Sequence, residues 1–298
     1  MPVSAPELSE ALSQVVESVG KSVVRVEGGR RGPASGLAIA PNRIVTVARA
    51  VFRDEVSVGL EGVSLKARVK GVDRSTDLAL LEVDGTLPAS EVHDGVHAKV
   101  GQLVLKLARP GQTVQATSGI ISASGKNSFR TQQGGTIDRY LESDAPHHPG
   151  FSGGPLVALD GAVLGLTSTG LLRGASLTIP GATVKRVVAQ LEAHGEVRRS
   201  YLGVQMQPVR LPDDVRQSTG EEIGLLITKV EKDGPASTAG IQYGDTLLHL
   251  GDDTVKTLDD LTAYLRADHV GQQVPVTLWR QGKVETLAVT LGARPSSR

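Results

Sequence analysis

Hydrophobic and polar positions change period along the chain, and each change marks an element. Leu8, Leu12, Val15 and Val19 recur at helical spacing behind Ser4 and Glu7, which stand at capping-box separation, with Pro6 near the first turn. A short amphipathic helix is therefore predicted over residues 4–19. Short β-rich runs follow: SVVRVEG, GLAIA, RIVTVARAV, VSVGL, LALLEV, QLVLKLA, SGIISAS, YLESD, PLVAL and AVLGLTS. Turn formers such as Pro41-Asn42, Asp84-Gly85, Pro110-Gly111 and Asp160-Gly161 separate them. About ten strands with almost no helix between them predict a barrel or a pair of barrels, and argue against a βαβ fold.

Helical spacing returns at Val184, Val187, Val188 and Leu191, with Gly195 placed to cap residues 182–194, and a charged linker is expected at 196–200. From Tyr201 the pattern reads strand (GLLITKV), short helix (GPASTAG), strand (DTLLHL), helix (LDDLTAYLRA) and a hairpin turning at Gln281-Gly282. The expected organisation is a first domain over 1–195, a second over 201–292 and a disordered tail over 293–298.

Composition supports this division and removes whole classes of function. A chain of 298 residues is long enough for two domains, each with its own core. Thirty-five glycines against three Phe, one Trp and four Tyr suit a mostly β protein with many turns and aliphatic cores. Equal numbers of basic and acidic residues, 32 each, leave no electrostatic footprint for nucleic acid or an anionic membrane. Zero cysteines exclude disulfides, thiolate metal sites and a cysteine nucleophile. No cofactor is expected. The first residues carry neither a positive leader nor an apolar run, and no membrane-spanning stretch occurs. The expected location is cytoplasmic as the chain is written, or periplasmic if a leader was removed.

The sharpest local feature is Pro149-Gly150-Phe151-Ser152-Gly153-Gly154-Pro155-Leu156. A serine between glycines sits on a tight turn with its hydroxyl exposed, and the Gly150 and Ser152 amides are placed to converge on a developing oxyanion. The residues also satisfy the Gly-x-Ser-x-Gly pattern of a hydrolase nucleophile elbow. An elbow needs a helix after the serine, whereas PLVALDGAVLGLTS is two β-runs around a turn, so the elbow is rejected. The remaining order is His, Asp, then Ser on a β-barrel, and Asp77, heading the aliphatic run LALLEV, is the candidate acid.

RIVTVARAV, STDLALLEV and SDAPHHPGFSGGPLVALDGAVLGL, followed by YLGV and GPASTAG, resemble the HtrA (Deg) family of trypsin-like serine proteases with a PDZ domain. The resemblance runs from about residue 10 to residue 292. It implies two perpendicular β-barrels with the active site between them and a PDZ domain that binds peptide C-termini or extended segments. It places Ser152 on the nucleophile, Asp77 on the triad acid, and the Gly150 and Ser152 amides on the oxyanion hole. The base does not carry over: where the family has histidine, this chain has Arg49. The family trimer is held by aromatic residues near the N-terminus, and here none precedes Phe52, which puts trimerisation in doubt.

A guanidinium has only donors and a pKa above about 12, so Arg49 neither accepts the serine proton nor returns it to a leaving amine. A bidentate Arg49–Asp77 pair filling the imidazole's place is expected instead. His93 and His97 on one loop, and His147 and His148 just before Ser152, read first as solvated loop residues. A relocated base is the alternative. So is a metal pair at His147 and His148, which needs a third ligand such as Asp144. Arg173 falls in the segment corresponding to the family's substrate-pocket loops.

In the second domain Tyr201-Leu202-Gly203-Val204 matches the family's carboxylate-binding loop, with Leu261 and Leu265 expected to line the pocket for a ligand's last side chain. Arg198-Arg199 reads as solvated linker. The function expected is a pseudoprotease that binds unfolded proteins or peptide C-termini as a chaperone or adaptor. An active endopeptidase with an unusual base is the alternative, and a scaffold that binds no peptide is a third reading.

Overall fold

The computed structural model describes residues 4–28, 32–95, 97–131, 135–172, 175–198, 200–266 and 269–293. It divides into two compact units, Met1–Val197 and Arg198–Arg298. No helix among the described residues is long and apolar enough to cross a membrane.

In the first unit the entry helix Ala5–Gly20 begins with the capping box its sequence predicts. The Ser4 amide and hydroxyl donate to the Glu7 carboxylate at 2.8 Å, and the Glu7 amide donates back to Ser4 Oγ. Val15 and Val19 are buried from its apolar stripe. Two closed barrels of six strands each follow. The first runs, around its circumference, through Val23–Glu27, Ala34–Ala40, Arg43–Thr46, Leu78–Val83, Val63–Asp73 and Glu55–Leu60. The second runs through Leu141–Ser143, Ala175–Pro180, Val163–Leu172, Pro155–Ala158, Leu103–Ala108 and Gln115–Ser124.

Why LALLEV lacks a polar face is visible in its packing. Ala79 and Leu81 enter the core of the first barrel, whereas Leu78 and Leu80 join a second cluster containing Leu105, Leu107, Val157 and Leu166 from the other barrel. Both faces of this strand are dry except at the half-buried Glu82, which pairs with Arg43, so its other five positions are apolar. Along Leu103–Ala108, Leu105 and Leu107 face the shared cluster, while Val104 enters the interior of the second barrel with Ile121, Leu141 and Leu156. Lys106 is the one charged residue of that strand, and it is almost completely buried.

Strands at Val63–Asp73, Phe129–Arg130, Thr136–Ile137 and Ala175–Pro180 lie outside the apolar runs seen in the sequence. The longest of them, VSLKARVKGVD, buries only Ala67, Gly71 and Asp73, and its lysines and arginine interrupt the apolar signal. The run RIVTVARAV is not one strand: pairing stops at Thr46, and Ala48–Ala50 form a single 3-10 turn. That break lifts Arg49 out of the ladder. Helix Gly181–His194 closes the unit, with Gly195 left-handed after it at φ 73°.

The second unit holds a sheet in the order Val204–Arg210, Ile223–Val230, Thr246–Leu250, Gln273–Arg280, Lys283–Thr290. Leu225, Ile227, Leu247, Val276, Leu278 and Val289 form its core. Gln281 and Gly282 turn the last hairpin with φ values of 46° and 84°, the two positive angles a two-residue turn requires. Pro235–Thr238 and Leu258–Arg266 are the two helices read from sequence. A third, Asp213–Thr219, has Val215 as its single buried residue, so it presents no apolar period. Ser200 pairs with Ala293 and Tyr201 with Gly292. Thus Ser200, read as linker, and Ala293, read as the start of the tail, close the unit as a small ladder. The rest of the predicted tail, 294–298, lies outside the described residues, as do Arg173 and Arg199.

Candidate active site and peptide-binding loop

The serine motif folds as a chain of tight turns between Ser143 and Pro155. Gly150 and Gly153 have φ values of 86° and 87°, which side chains rarely adopt. A Cβ on Gly153 would stand 2.0 Å from the Ser35 carbonyl oxygen, so that position admits only glycine. The first barrel clamps the turn: the Ser35 amide donates to the Ser152 carbonyl at 2.9 Å, and Ser35 Oγ donates to the Gly150 carbonyl at 2.8 Å. The Gly150 and Ser152 amides donate to no other described residue, as an oxyanion site requires.

The second candidate, Asp77, is also held in an unusual conformation. It has φ 57°, a left-handed value that aspartate tolerates, and its carbonyl accepts from the Ala48 amide at 3.1 Å. Its carboxylate is buried; Oδ2 accepts from Ser168 Oγ at 2.6 Å and Oδ1 from the Arg49 amide at 3.2 Å. Burial pushes the Asp77 carboxyl up, against the opposing effects of the Arg49 charge and the Ser168 hydroxyl.

Arg49 lies between Asp77 and Ser152. The bidentate Arg49–Asp77 pair expected from sequence does not form: Nε approaches Asp77 Oδ2 at 3.7 Å, and Nη2 donates to Ser152 Oγ at 2.7 Å. The physical reason is that Ser168 and the Arg49 amide already engage the carboxylate. With one face occupied, the guanidinium spans the gap and takes the serine oxygen as its acceptor.

Reading the histidines as solvated loop residues fails for one of the four. His147 is partly buried, and its Nε2 lies 3.0 Å from Ser152 Oγ while Nδ1 lies 2.9 Å from Ser176 Oγ. Its pKa falls to about 4, first through burial and then through the neighbouring charges of Lys106, Arg49 and His148. Behind it, Lys106 Nζ donates to the Ala145 carbonyl at 2.7 Å and reaches Ser176 Oγ at 3.5 Å. Burial lowers the Lys106 pKa as well. His148 is exposed and sets its ring edge-on against Phe151 at 5.5 Å. His93 and His97 are not among the residues lining this site. Asp144, the third ligand of the metal alternative, accepts from the Ile120 amide at 2.7 Å, and no metal-binding group of three side chains occurs among the described residues. The sequence offered His147 only as the alternative to a solvated loop residue, because it shares a loop with Ser152; the Pro146–Pro149 backbone path is what turns its ring back toward the hydroxyl.

A cleft of about 620 Å³ opens over these groups, lined by Arg49, Phe52, His147, Gly150, Ser152 and Thr169 among others. That volume suits a few residues of an extended chain or a small acyl compound.

In the second unit, Val204–Arg210 is an edge strand, paired on one side with Ile223–Val230. Gly203 precedes it at φ 82°, and the Leu202 and Gly203 amides donate to no described residue. The carbonyls of the same two residues are fixed, accepting from the Ala236 and Glu231 amides at 2.9 and 2.8 Å. Unengaged amides ahead of an edge strand are what carboxylate capture and strand addition require. The Leu202 and Leu261 side chains face the core, Leu261 retaining 9% exposure, and Val204 and Leu265 are half-buried beside it. Of the predicted pocket residues, Leu265 and Val204 therefore present the more accessible apolar surface.

Residues 34–166 match the trypsin-like peptidase domain family and residues 200–291 match the PDZ domain family. A probable periplasmic serine endoprotease DegP-like from Pseudomonas putida (strain W619) is 35% identical over 272 residues, covering 88% of this chain and 54% of that protein. The protein of the same description from Rhizobium meliloti (strain 1021) is 38% identical over 248 residues, covering 79% of this chain and 48% of its own length. The chain thus spans about half the length of these curated relatives. Among solved structures, the serine endoprotease from Yersinia pestis superposes with a TM-score of 0.75 at 26% identity, covering 99% of this chain and all of that one. The HtrA-type protease AlgW with a tripeptide superposes with a TM-score of 0.72 at 27% identity over 95% of this chain and 97% of that chain. Paired barrels carrying the Gly-Phe-Ser-Gly-Gly turn, a following PDZ domain and these similarities together place the chain in the HtrA (DegP-like) family of trypsin-like proteins.

Proposed function

We propose that this chain is a peptide-binding member of the HtrA family that does not hydrolyse peptide bonds, and that acts on unfolded proteins or peptide C-termini as a chaperone or adaptor. The observation that carries the reading is the Arg49 guanidinium, which takes the place of a triad imidazole and donates to Ser152 Oγ at 2.7 Å. Amide hydrolysis requires a base that first removes the serine proton and then delivers it to the departing amine. A permanently charged donor in that place performs neither step, and loss of the base costs about 10⁴ to 10⁶ in rate. Binding is served separately by the loop Tyr201–Val204 and the edge strand after it. The relatives' description as periplasmic supports a periplasmic setting over the cytoplasmic one, and a homo-oligomer remains part of the proposal.

The test is a time course of β-casein digestion by wild type and Ser152→Ala, alongside titration of the full chain with fluorescent C-terminal peptides. The expected result is no cleavage by either protein together with saturable peptide binding. Casein cleavage that Ser152→Ala abolishes would overturn the reading. One observation favours a second reading, an active endopeptidase: His147 Nε2 stands 3.0 Å from Ser152 Oγ.

A further inference from the structure

We infer that Ser152 is a primed nucleophile whose base is His147, and that it is acylated or phosphonylated by donors whose leaving group needs no proton. This deepens the proposed function and rests on its reading of the Ser152 turn as a site for an acyl oxyanion. The donors are aryl esters and fluorophosphonates as a chemical class.

Hydrogen-bond accounting selects the arrangement. Arg49 Nη2 has only protons to give, so it occupies a lone pair of Ser152 Oγ and leaves the hydroxyl proton to find an acceptor. Among the described partners of Ser152 Oγ, His147 Nε2 alone is able to accept. It does so in the tautomer that carries its proton on Nδ1, directed at Ser176 Oγ 2.9 Å away. The opposite tautomer would aim two donors at one hydroxyl and leave its proton without a partner. Ser176 in turn lies within 3.5 Å of Lys106 Nζ, which the Ala145 carbonyl anchors in the barrel interior. The imidazole is therefore oriented from behind, as a triad acid would orient it, but by a hydroxyl.

The step balances with the groups around Ser152. Ser152 Oγ gives its proton to His147 Nε2 and its electron pair to the carbonyl carbon of an aryl ester. The carbonyl oxygen becomes the oxyanion between the Gly150 and Ser152 amides. The ester C–O bond then breaks and the phenolate leaves with the bonding pair, while the proton passes from His147 to solvent. With a fluorophosphonate, Oγ attacks phosphorus and the P–F bond breaks with fluoride as leaving group. The guanidinium steadies the developing alkoxide. A peptide amine differs because it departs only when protonated, and the place from which the family's imidazole supplies that proton is held by Arg49. His147 hangs instead from the loop that carries the Gly150 amide. Primed attack without amine expulsion follows.

The experiment measures fluorophosphonate labelling and the p-nitrophenyl acetate burst for wild type, Ser152→Ala, His147→Gln and Ser176→Ala, with the labelled residue located by mass spectrometry. Wild type is expected to label at Ser152, Ser152→Ala to stay dark, His147→Gln to react at least about 100-fold more slowly, and Ser176→Ala to fall in between. Circular dichroism and peptide binding check that each variant is folded. The wild-type pH profile tests the base without any mutation. The groups facing His147 are Lys106 with Glu142 and Asp144 near it, Arg49 from the 3-10 turn, Ser176, and His148 on its own loop. The labelling rate should level off by about pH 5 to 6, rather than rise through the usual histidine range near 6.5. A dark wild type, undiminished labelling of His147→Gln, or an inflection near neutral pH would each overturn the inference. None of these outcomes alters the casein result that tests the proposed function.

Discussion

At the residue scale Arg49 and His147 converge on the Ser152 hydroxyl, with Asp77 behind the guanidinium. Arg49→His returns an imidazole to the position between Asp77 and Ser152, and a gain of at least about 10³-fold in casein cleavage is expected, checked against the double variant with Ser152→Ala. His147 gives an acid signature. Its pKa in the folded protein lies at about 4 against 6.5 for the free group, so between those values the unfolded chain binds more protons. Stability is therefore fully present above pH 6.5 and is lost as pH falls to about 4. Denaturant melts at pH 7 and pH 4.5 should show a smaller loss for His147→Gln than for wild type; equal losses would remove His147 as the cause. Ser152, Asp77 and Arg49 were legible as candidates through motif and chain order, and the structure sets their side chains next to one another. The contact of His147 with Ser152 was open only as an alternative, since nothing in linear spacing says that a loop doubles back on its own serine. The partner of the guanidinium was not legible, as it depends on Ser168 having reached Asp77 first.

Two turns carry the argument at the scale of elements. The chain at Gly153 passes so close to the strand Ala34–Ala40 that an added Cβ meets the Ser35 carbonyl at 2.0 Å. Gly153→Ala should thus lower the melting temperature and abolish Ser152 labelling, at a cost of several kcal/mol combined from clash and backbone strain. Gly203 differs: a Cβ there has ordinary contacts at 3.5 Å, and only its φ of 82° opposes substitution. Gly203→Ala should cost about 1–2 kcal/mol and weaken C-terminal peptide binding about tenfold, measured by fluorescence titration, with the labelling of Ser152 unchanged. Apolar runs revealed most strands and the helices Ala5–Gly20, Gly181–His194 and Leu258–Arg266, whose stripes face a core. They did not reveal Val63–Asp73 or Asp213–Thr219, where polar side chains face water and the buried positions are too few to set a period.

For the whole molecule, each of the two units has a hydrophobic core of its own. Leu80→Ala empties a fully buried position in the first unit and Leu225→Ala one in the second, each costing about 2–5 kcal/mol. The first should impair Ser152 labelling and spare peptide binding, and the second the reverse; loss of both activities in both variants would show that the units fold as one. Composition and patterning made the mostly β, two-part architecture readable, because strand period and turn chemistry are local properties. The chemistry proposed for the first unit hangs on one side chain, Arg49, against Ser152. The most direct measurement is digestion of β-casein by purified wild type, Ser152→Ala and Arg49→His in parallel. The account requires intact casein with the first two and cleavage with the third. Degradation by wild type that disappears in Ser152→Ala would contradict it.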